Sequence, residues 1–364
     1  MIWLAEIRRA KLKFGLLAAA VGLLFFLLLF VNTLSATLLG RFVGAVENNS
    51  ADLLVLDSGS QSVIAASRLT TNDVDRVAGT NGVAAAAPIA VKSMDATLAD
   101  GNVSVSLWGI VPEGPGAPSR FDGSLPGPGQ ALVDETAVSD LGLEIGSTFE
   151  IGETEIEVVG IAEDSTYAVL PTVFVPYETW SEIFSAAYPE SPIVPVNMIG
   201  VAVDGDPGEV ARAIDGIDGL MALTTGEAAD ATPGASSIAQ SFNLITGITF
   251  GIVVVVVAFF FLILTVQKLK VFALLEAVGA RTRSLAAFVF NQIGFMVVLG
   301  VAVGVAMLAG AAAATREVFS ISVDPLLVAT LGTAVLVASL ASGIFSVRRI
   351  VKQDAATIAT GGKR

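Results

Sequence analysis

The sequence predicts an α-helical bundle of four transmembrane helices, with a large α+β extracytoplasmic domain inserted between the first helix and the second. Three observations predict it. Hydrophobic residues make up 54% of the 364 positions, above the ~45–50% of a soluble domain, and they concentrate in four long runs. Each run has the ~20 apolar residues needed to cross ~30 Å of hydrocarbon at ~1.5 Å per residue. Finally, lysine and arginine gather on the short segments that an N-terminus-inside topology places on one side.

Residues 1–13 form a cytoplasmic segment carrying Arg8, Arg9, Lys11 and Lys13. The first helix follows at 14–40. A basic start before an apolar run also fits a secretory signal. This run is longer than such a core, and no small-residue cleavage site follows Asn32, so the helix is expected to be retained. The second helix is expected at 241–266, around five consecutive valines from Val253 to Val257. The third is expected at 285–314 and the fourth at 326–347, joined outside by 315–325. Uniformly apolar runs imply helices, because only an internally bonded backbone is satisfied in lipid.

Both termini are then cytoplasmic. The segments 1–13, 267–284 and 348–364 hold thirteen basic residues against Glu6, Glu276 and Asp354, a net of +10. The remainder is −24, so the chain's −14 conceals a strong asymmetry. The localisation that follows is a cell membrane crossed several times, with 41–240 outside.

The block 41–240 is long enough for one domain or two small ones. Its acidity keeps it soluble and argues against nucleic acid or an anionic surface as partner. Short strand-like runs dominate: 52–56, an alternating stretch at 103–110, two strands within 148–161 around the turn Gly152-Glu153, then 173–176 and 198–203. Helices are expected at 71–77, 136–141, 177–186 and 207–214. The Gly- and Pro-rich linker 111–129 divides the block. With no regular strand–helix–strand rhythm, an α+β domain is expected.

The chain has no cysteine and no histidine. Disulfides, cysteine zinc sites and histidine-based hydrolase chemistry are excluded. No metal site, resident cofactor or catalytic residue is expected. No glycine-rich loop ends in Gly-Lys-Ser/Thr, so ATP cannot be hydrolysed here. Among the few polar residues inside the spans are Asn32, Asn291 and Gln292, for which interhelical hydrogen bonding is the plain explanation. The third helix carries Gly300-x-x-x-Gly304, a close-packing motif serving contacts either within one subunit or between two.

One helix, a large outer domain and three further helices resemble the FtsX-like, or MacB-like, permeases of ABC transporters (type VII). The segment 267–283, containing Ala273-Leu274-Leu275-Glu276-Ala277-Val278-Gly279-Ala280, resembles that family's most recognisable stretch. The tail Arg348-Arg349-Ile350-Val351-Lys352-Gln353-Asp354-Ala355 is similar to its C-terminal signature, with Ala355 where proline is usual. Residues 131–137 with Leu143-Glu144-Ile145-Gly146 resemble an element of its outer domain. The opening 5–15, the segment 264–279 and the stretch 49–56 look closest to haem-exporter (HrtB-type) permeases and their DevC-like relatives.

The resemblance implies a non-catalytic permease subunit, a homodimer served by two copies of a separate ABC ATPase that binds the ATP. It implies that Phe272, Leu274, Leu275, Glu276, Val278, Gly279 and Arg281 form a coupling helix docking on that ATPase. An ordinary amphipathic connector on the membrane surface is the other reading of the same spacing. Efflux of an amphiphile, with haem first, is the expected activity. Transmission of force to an extracytoplasmic partner, or extraction of a lipoprotein or lipid, are the alternatives. If haem is the cargo, its ligands must be tyrosine, methionine or carboxylate. Glu47, Tyr167 and Asn32 are then the candidate substrate-binding residues, although surface or core roles explain each of them too.

Overall fold

In a computed structural model the structure describes residues 11–99, 101–191, 194–277, 282–314 and 325–341. The chain divides into two compact units. One takes Thr37–Ala239, the other the residues up to Ala36 and from Gln240 onward.

The second of these is helical. It holds most of α1 (Lys11–Glu47) and of the 43-residue helix that begins at Ala235, together with the helix Thr282–Ala314 and a helix at Pro325–Ala341. Three described helices are long and apolar enough to cross a membrane, over Phe14–Glu47, Ala235–Phe260 and Phe290–Ala314; Pro325–Ala341 is apolar but shorter. The rest of the expected fourth span, 342–347, lies outside the described residues, as do 1–10, the loop 315–324 and the tail 348–364.

Apolar residues occupy every face of α1. Phe14, Val21, Phe25, Leu28 and Leu29 are buried, while Leu12, Leu16, Leu23 and Leu27 are exposed. A helix apolar all round is one that meets lipid outside and partners inside. The buried set packs against Val253 and Val257, against Ile293, Met296, Val297 and Leu308, and against Val335. Gly300 and Gly304 set the closest approach. A methyl built on Gly300 would lie 2.5 Å from Val21 Cγ1, and one on Gly304 would lie 2.9 Å from the Gly22 carbonyl. Gly22 meets Val303 in the same way, at 2.6 Å. The glycine motif therefore serves a contact within the subunit.

The Thr37–Ala239 unit contains β1 (Leu53–Asp57), α2 (Thr71–Ala78), β2 (Val83–Leu98), β3 (Gly101–Ile110), β4 (Phe121–Gly123), β5 (Gln130–Asp134), α3 (Glu135–Leu141), β6 (Thr148–Ile151), β7 (Thr154–Ala162), β8 (Thr172–Pro176), α4 (Tyr177–Ala187), β9 (Met198–Val203), α5 (Pro207–Asp215), β10 (Leu220–Thr224) and α6 (Thr225–Ala231). The helices that follow are α7 (Ala235–Ala277), α8 (Thr282–Ala314) and α9 (Pro325–Ala341). One sheet runs β10-β1-β9-β2-β3-β8-β5-β7-β4, with β6 on β2 and β7.

The sixteen-residue β2 joins two halves. Its first part, from Val83 to Ile89, pairs with β9, and its second, from Ala90 to Leu98, pairs with β3. The first half is antiparallel in the order β10-β1-β9-β2. Taken with α2 and α5, that is a split β-α-β-β-α-β arrangement. The second half is inserted between β2 and β9.

Strand alternation explains how one sheet serves separate cores. Leu53 and Val55 face a cluster with Val77 of α2 and Val210 and Ile214 of α5. Leu107, Val133, Val173 and Val175 face a cluster with Trp180 and Ile183 of α4. Their neighbours Leu54, Leu56, Trp108, Leu132 and Phe174 face the opposite way, onto Val43 and Val46 at the end of α1. These strands are buried on both faces, so they read as continuous apolar runs.

Two boundaries differ from the sequence reading. The first helix does not stop near 40 but continues to Glu47, because Val43 and Val46 gain burial under the sheet. The stretch read as a separate coupling helix begins as a continuation of α7, helical through Ala277.

Candidate functional site

The last turns of α1 meet the loop 163–171 through backbone groups. Ala45 N–H donates to the Thr166 carbonyl at 3.1 Å. In return Ala168 N–H donates to the Phe42 carbonyl (3.0 Å) and Val169 N–H to that of Arg41 (2.9 Å). Asn48 Nδ2 adds a bond to the Asp164 carbonyl at 2.8 Å. The approach is so close that a methyl on Gly44 would lie 2.5 Å from Asp164 O. Only glycine admits the loop there.

The loop is itself fixed from below by Asp134. This residue ends β5 and caps α3, its side chain accepting from Ala137 N–H at 3.0 Å. The same oxygen accepts from Thr172 N–H at 3.0 Å. The other oxygen takes the hydroxyls of Thr166, at 2.6 Å, and Thr136. Asp134 is 0% exposed, and among the described residues no cation is paired with it. Burial pushes its carboxyl above the usual carboxylate value, against the hydrogen bonds of Thr136, Thr166, Thr172 and Ala137. A buried carboxylate is tolerated when donors replace its water.

Between these anchors the loop is strained. Asp164, Ala168 and Val169 have φ of 47°, 54° and 60°. That left-handed region is rare for non-glycine residues and rarest for β-branched ones. The Arg120–Asp164 ion pair, at 2.7 Å, is on the surface and adds little.

Of the three candidate binding residues, Asn32 belongs to the helical unit, and Glu47 and Tyr167 belong to the Thr37–Ala239 unit. Asn32 Nδ2 donates to the Leu28 carbonyl at 2.8 Å, one turn back in its own helix. Glu47 is exposed at the end of α1. Tyr167 lies in the strained loop, its ring edge-on to Trp108 at 5.3 Å and 77°. Burial pushes its phenol up to about 12, so it stays protonated at neutral pH. Of the coupling residues, Phe272, Leu274, Leu275 and Glu276 are helical in α7, whereas Val278, Gly279 and Arg281 lie outside the described residues.

Sequence reasoning missed Asp134, Thr166 and Thr172 as a group. The one local signal was an aspartate between a strand and a predicted helix, a helix-cap pattern. Nothing local tied it to a loop thirty residues away.

Residues 16–217 match the family model of the MacB-like periplasmic core domain, and residues 243–355 that of the FtsX-like permease C-terminal. An uncharacterized ABC transporter permease of Mycobacterium tuberculosis is 26% identical over 359 residues, covering 97% of each chain. Another, of Mycobacterium bovis, is 25% identical over 305 residues, covering 83% of this chain and 82% of its own. Among solved structures, the periplasmic region of MacB from Actinobacillus actinomycetemcomitans aligns at 13% identity with a TM-score of 0.36, over 50% of this chain and 92% of that one. The extracellular domain of the noncanonic ABC-type transporter YknZ from Gram-positive bacteria aligns at 17% identity with a TM-score of 0.33, over 47% and 99%.

Proposed function

The chain belongs to the MacB-like, FtsX-like family of ABC transporter permeases, and on that premise we propose that it is an efflux permease whose first helix works as a lever on the extracytoplasmic domain. A permease of this class works in a membrane with a partner ATPase. In our reading the chain crosses four times with both termini inside, an orientation that the charge asymmetry supports. Two copies pair and engage two ATPase subunits through the 267–284 segment. There Phe272, Leu274, Leu275 and Val278 supply the apolar contact, Glu276 and Arg281 the charged ones, and Gly279 the helix stop.

The observation that carries the reading is the grip on α1. A helix long enough to cross the membrane ends in a close, directional set of backbone hydrogen bonds to a loop anchored on Asp134. A displacement of that helix end must carry the loop and the sheet above it. The grip is tested by Gly44→Val in proteoliposomes with the ATPase. ATP hydrolysis should stay within about twofold while export falls about tenfold or more, the effect of losing ~1.4 kcal/mol of coupling. Equal loss of both activities would instead mark a folding defect, and no loss of either would refute the lever.

The cargo in this reading is an amphiphile, with haem tested first. The predicted spans carry no charged residue, which suits an apolar body rather than an ion. Glu47 is the candidate ligand most open to a molecule arriving from the outer leaflet. Tyr167, a neutral phenol packed on Trp108, is better placed to shape a wall than to bind iron as a phenolate. A hemin titration read by the Soret band should saturate near one haem per subunit or dimer and weaken in Glu47→Ala. No saturable shift would remove haem. The second reading, force transmission to an extracytoplasmic partner, would then stand, since the same grip serves it without cargo.

A further inference from the structure

A cleft of about 980 Å³ opens in the Thr37–Ala239 unit, between the second half of β2, the loop before α2, the 167–170 turn and the end of α4. Its lining contrasts with the charge of the domain. Residues 41–240 carry six basic side chains against twenty-nine acidic ones. Two of the six, Arg68 and Lys92, line this cleft, and no carboxylate lines it among the described residues. Arg76 and Arg120 are ion-paired elsewhere; Arg68 and Lys92 have no ion pair among the described residues. A cation pair left uncompensated in a strongly acidic domain concentrates a local positive field.

Both cations are held in place by neutral groups. Arg68 Nη1 donates to the carbonyls of Ala65 (2.8 Å) and Ser67 (2.9 Å). Lys92 Nζ sits 5.2 Å from the centre of the Tyr188 ring, a cation–π contact. Beside them stands an aromatic wall. Tyr188 is 40% exposed and tilts on Phe184 at 4.9 Å, and Phe184 stacks on Trp180 at 5.0 Å and 9°. Tyr167 closes the far side. Its phenol, pushed up to about 12 by burial, adds no negative charge.

We propose that this cleft binds an amphiphilic carboxylate, its flat apolar body on Phe184 and Tyr188 and its anionic head between Arg68 and Lys92. The arrangement has the parts such a ligand needs: a mostly apolar concavity with a few polar groups to fix orientation. The inference does not rest on haem being the cargo. Failure here leaves the hemin titration standing, and failure of that titration leaves this cleft.

The test uses the full chain in lipid nanodiscs and two probes, 1-pyrenebutyrate and the neutral 1-pyrenebutanol. Trp180 contacts Phe184 and Trp108 contacts Tyr167, so two of the three tryptophans each touch a ring that lines the cleft. Energy transfer to pyrene then separates a saturable site from linear partitioning into lipid. The carboxylate should saturate, with the alcohol about tenfold weaker or more, equivalent to losing one ~1.4 kcal/mol charge contact. The double variant Arg68→Ala/Lys92→Ala should bring the acid to the level of the alcohol, Lys92→Arg should keep binding, and Tyr188→Ala should weaken both probes. Equal binding of acid and alcohol, a double variant indistinguishable from the parent, or purely linear uptake would each overturn the proposal. Should the double variant fail to fold, the acid-to-alcohol ratio on the parent chain still decides.

Discussion

Two contacts made by the same helix are built from opposite chemistry. Around residues 21–26, α1 meets α8 through glycines and apolar side chains, with atoms of Val21, Gly22, Phe25 and Phe26 lying where methyls on Gly300 and Gly304 would go. At residues 41–48 it meets the 163–171 loop through backbone hydrogen bonds anchored on a buried carboxylate. In lipid there is no hydrophobic gain from pairing helices, so the first contact depends on shape. Asp134, Thr166 and Thr172 at its anchor are buried, so the second depends on satisfying their polar groups. The first should be damaged by added volume and the second by lost acceptors.

The largest effect is expected at Asp134. Asp134→Ala strands two backbone N–H groups and two hydroxyls in a dry interior, costing about 3–5 kcal/mol at ~1–3 kcal/mol for a buried unsatisfied group, with partial relaxation. Asp134→Asn should cost much less, about 1–2 kcal/mol. Its carbonyl can keep the two N–H donors, and its amide can donate to threonine hydroxyls that rotate to accept. Chemical unfolding of the full chain in detergent measures both. Equal losses would mean that cavity volume, not hydrogen bonding, holds the loop.

The membrane contact comes next. Gly304→Leu should destabilise by about 1–3 kcal/mol through overpacking, with Gly300→Val close behind. Gly294→Ala and Gly310→Ala are the controls, because a methyl at either meets nothing within 4 Å. If all four behaved alike, helix propensity rather than packing would govern the contact.

A smaller effect separates the two contacts by pH. Burial raises the Asp134 carboxyl above 3.8, with the hydrogen bonds opposing. The folded chain therefore keeps this proton to higher pH than the unfolded chain. Stability from this group is greatest below about 3.8, falls as pH rises towards the raised folded value, and is flat above it. Subtracting the Asp134→Asn profile from the parent profile should leave that downward slope. Gly304→Leu should shift the parent profile without changing its shape.

What the sequence could and could not disclose divides along the same line. Strands buried on both faces announced themselves, since β1, β3, β8 and β9 are unbroken or alternating apolar runs. The Gly152-Glu153 turn sits between β6 and β7 as its chemistry predicts. The longest strand was missed. The first part of β2, Val83-Ala84-Ala85-Ala86-Ala87-Pro88, is poor in strand formers. It is extended because β9 flanks it and β3 takes up its continuation, a tertiary decision. Likewise Gly300-x-x-x-Gly304 was legible as a motif but its partner Gly22 was not. The carboxylate at Asp134 was visible as a cap, yet its burial depends on Thr166 and Thr172, over thirty residues on. Local pattern reports local structure; both contacts of α1 are non-local.

The smallest effect should have the opposite sign. Val169 has φ of 60° and a side chain that is 46% exposed, so it pays for a left-handed backbone with little burial in return. Its N–H is needed, since it donates to the Arg41 carbonyl at 2.9 Å, which rules out proline. Asparagine tolerates that region far better than a β-branched residue. Val169→Asn should therefore stabilise the chain by about 0.5–1 kcal/mol, a fraction of the ~1–2 kcal/mol left-handed penalty. Glycine should gain less, because it adds freedom to the unfolded chain. If the loop stores strain that the proposed export cycle uses, Val169→Asn assembled with the partner ATPase should leave ATP hydrolysis at the parent rate while export slows. A gain in stability with unchanged export would make the strain incidental to the grip.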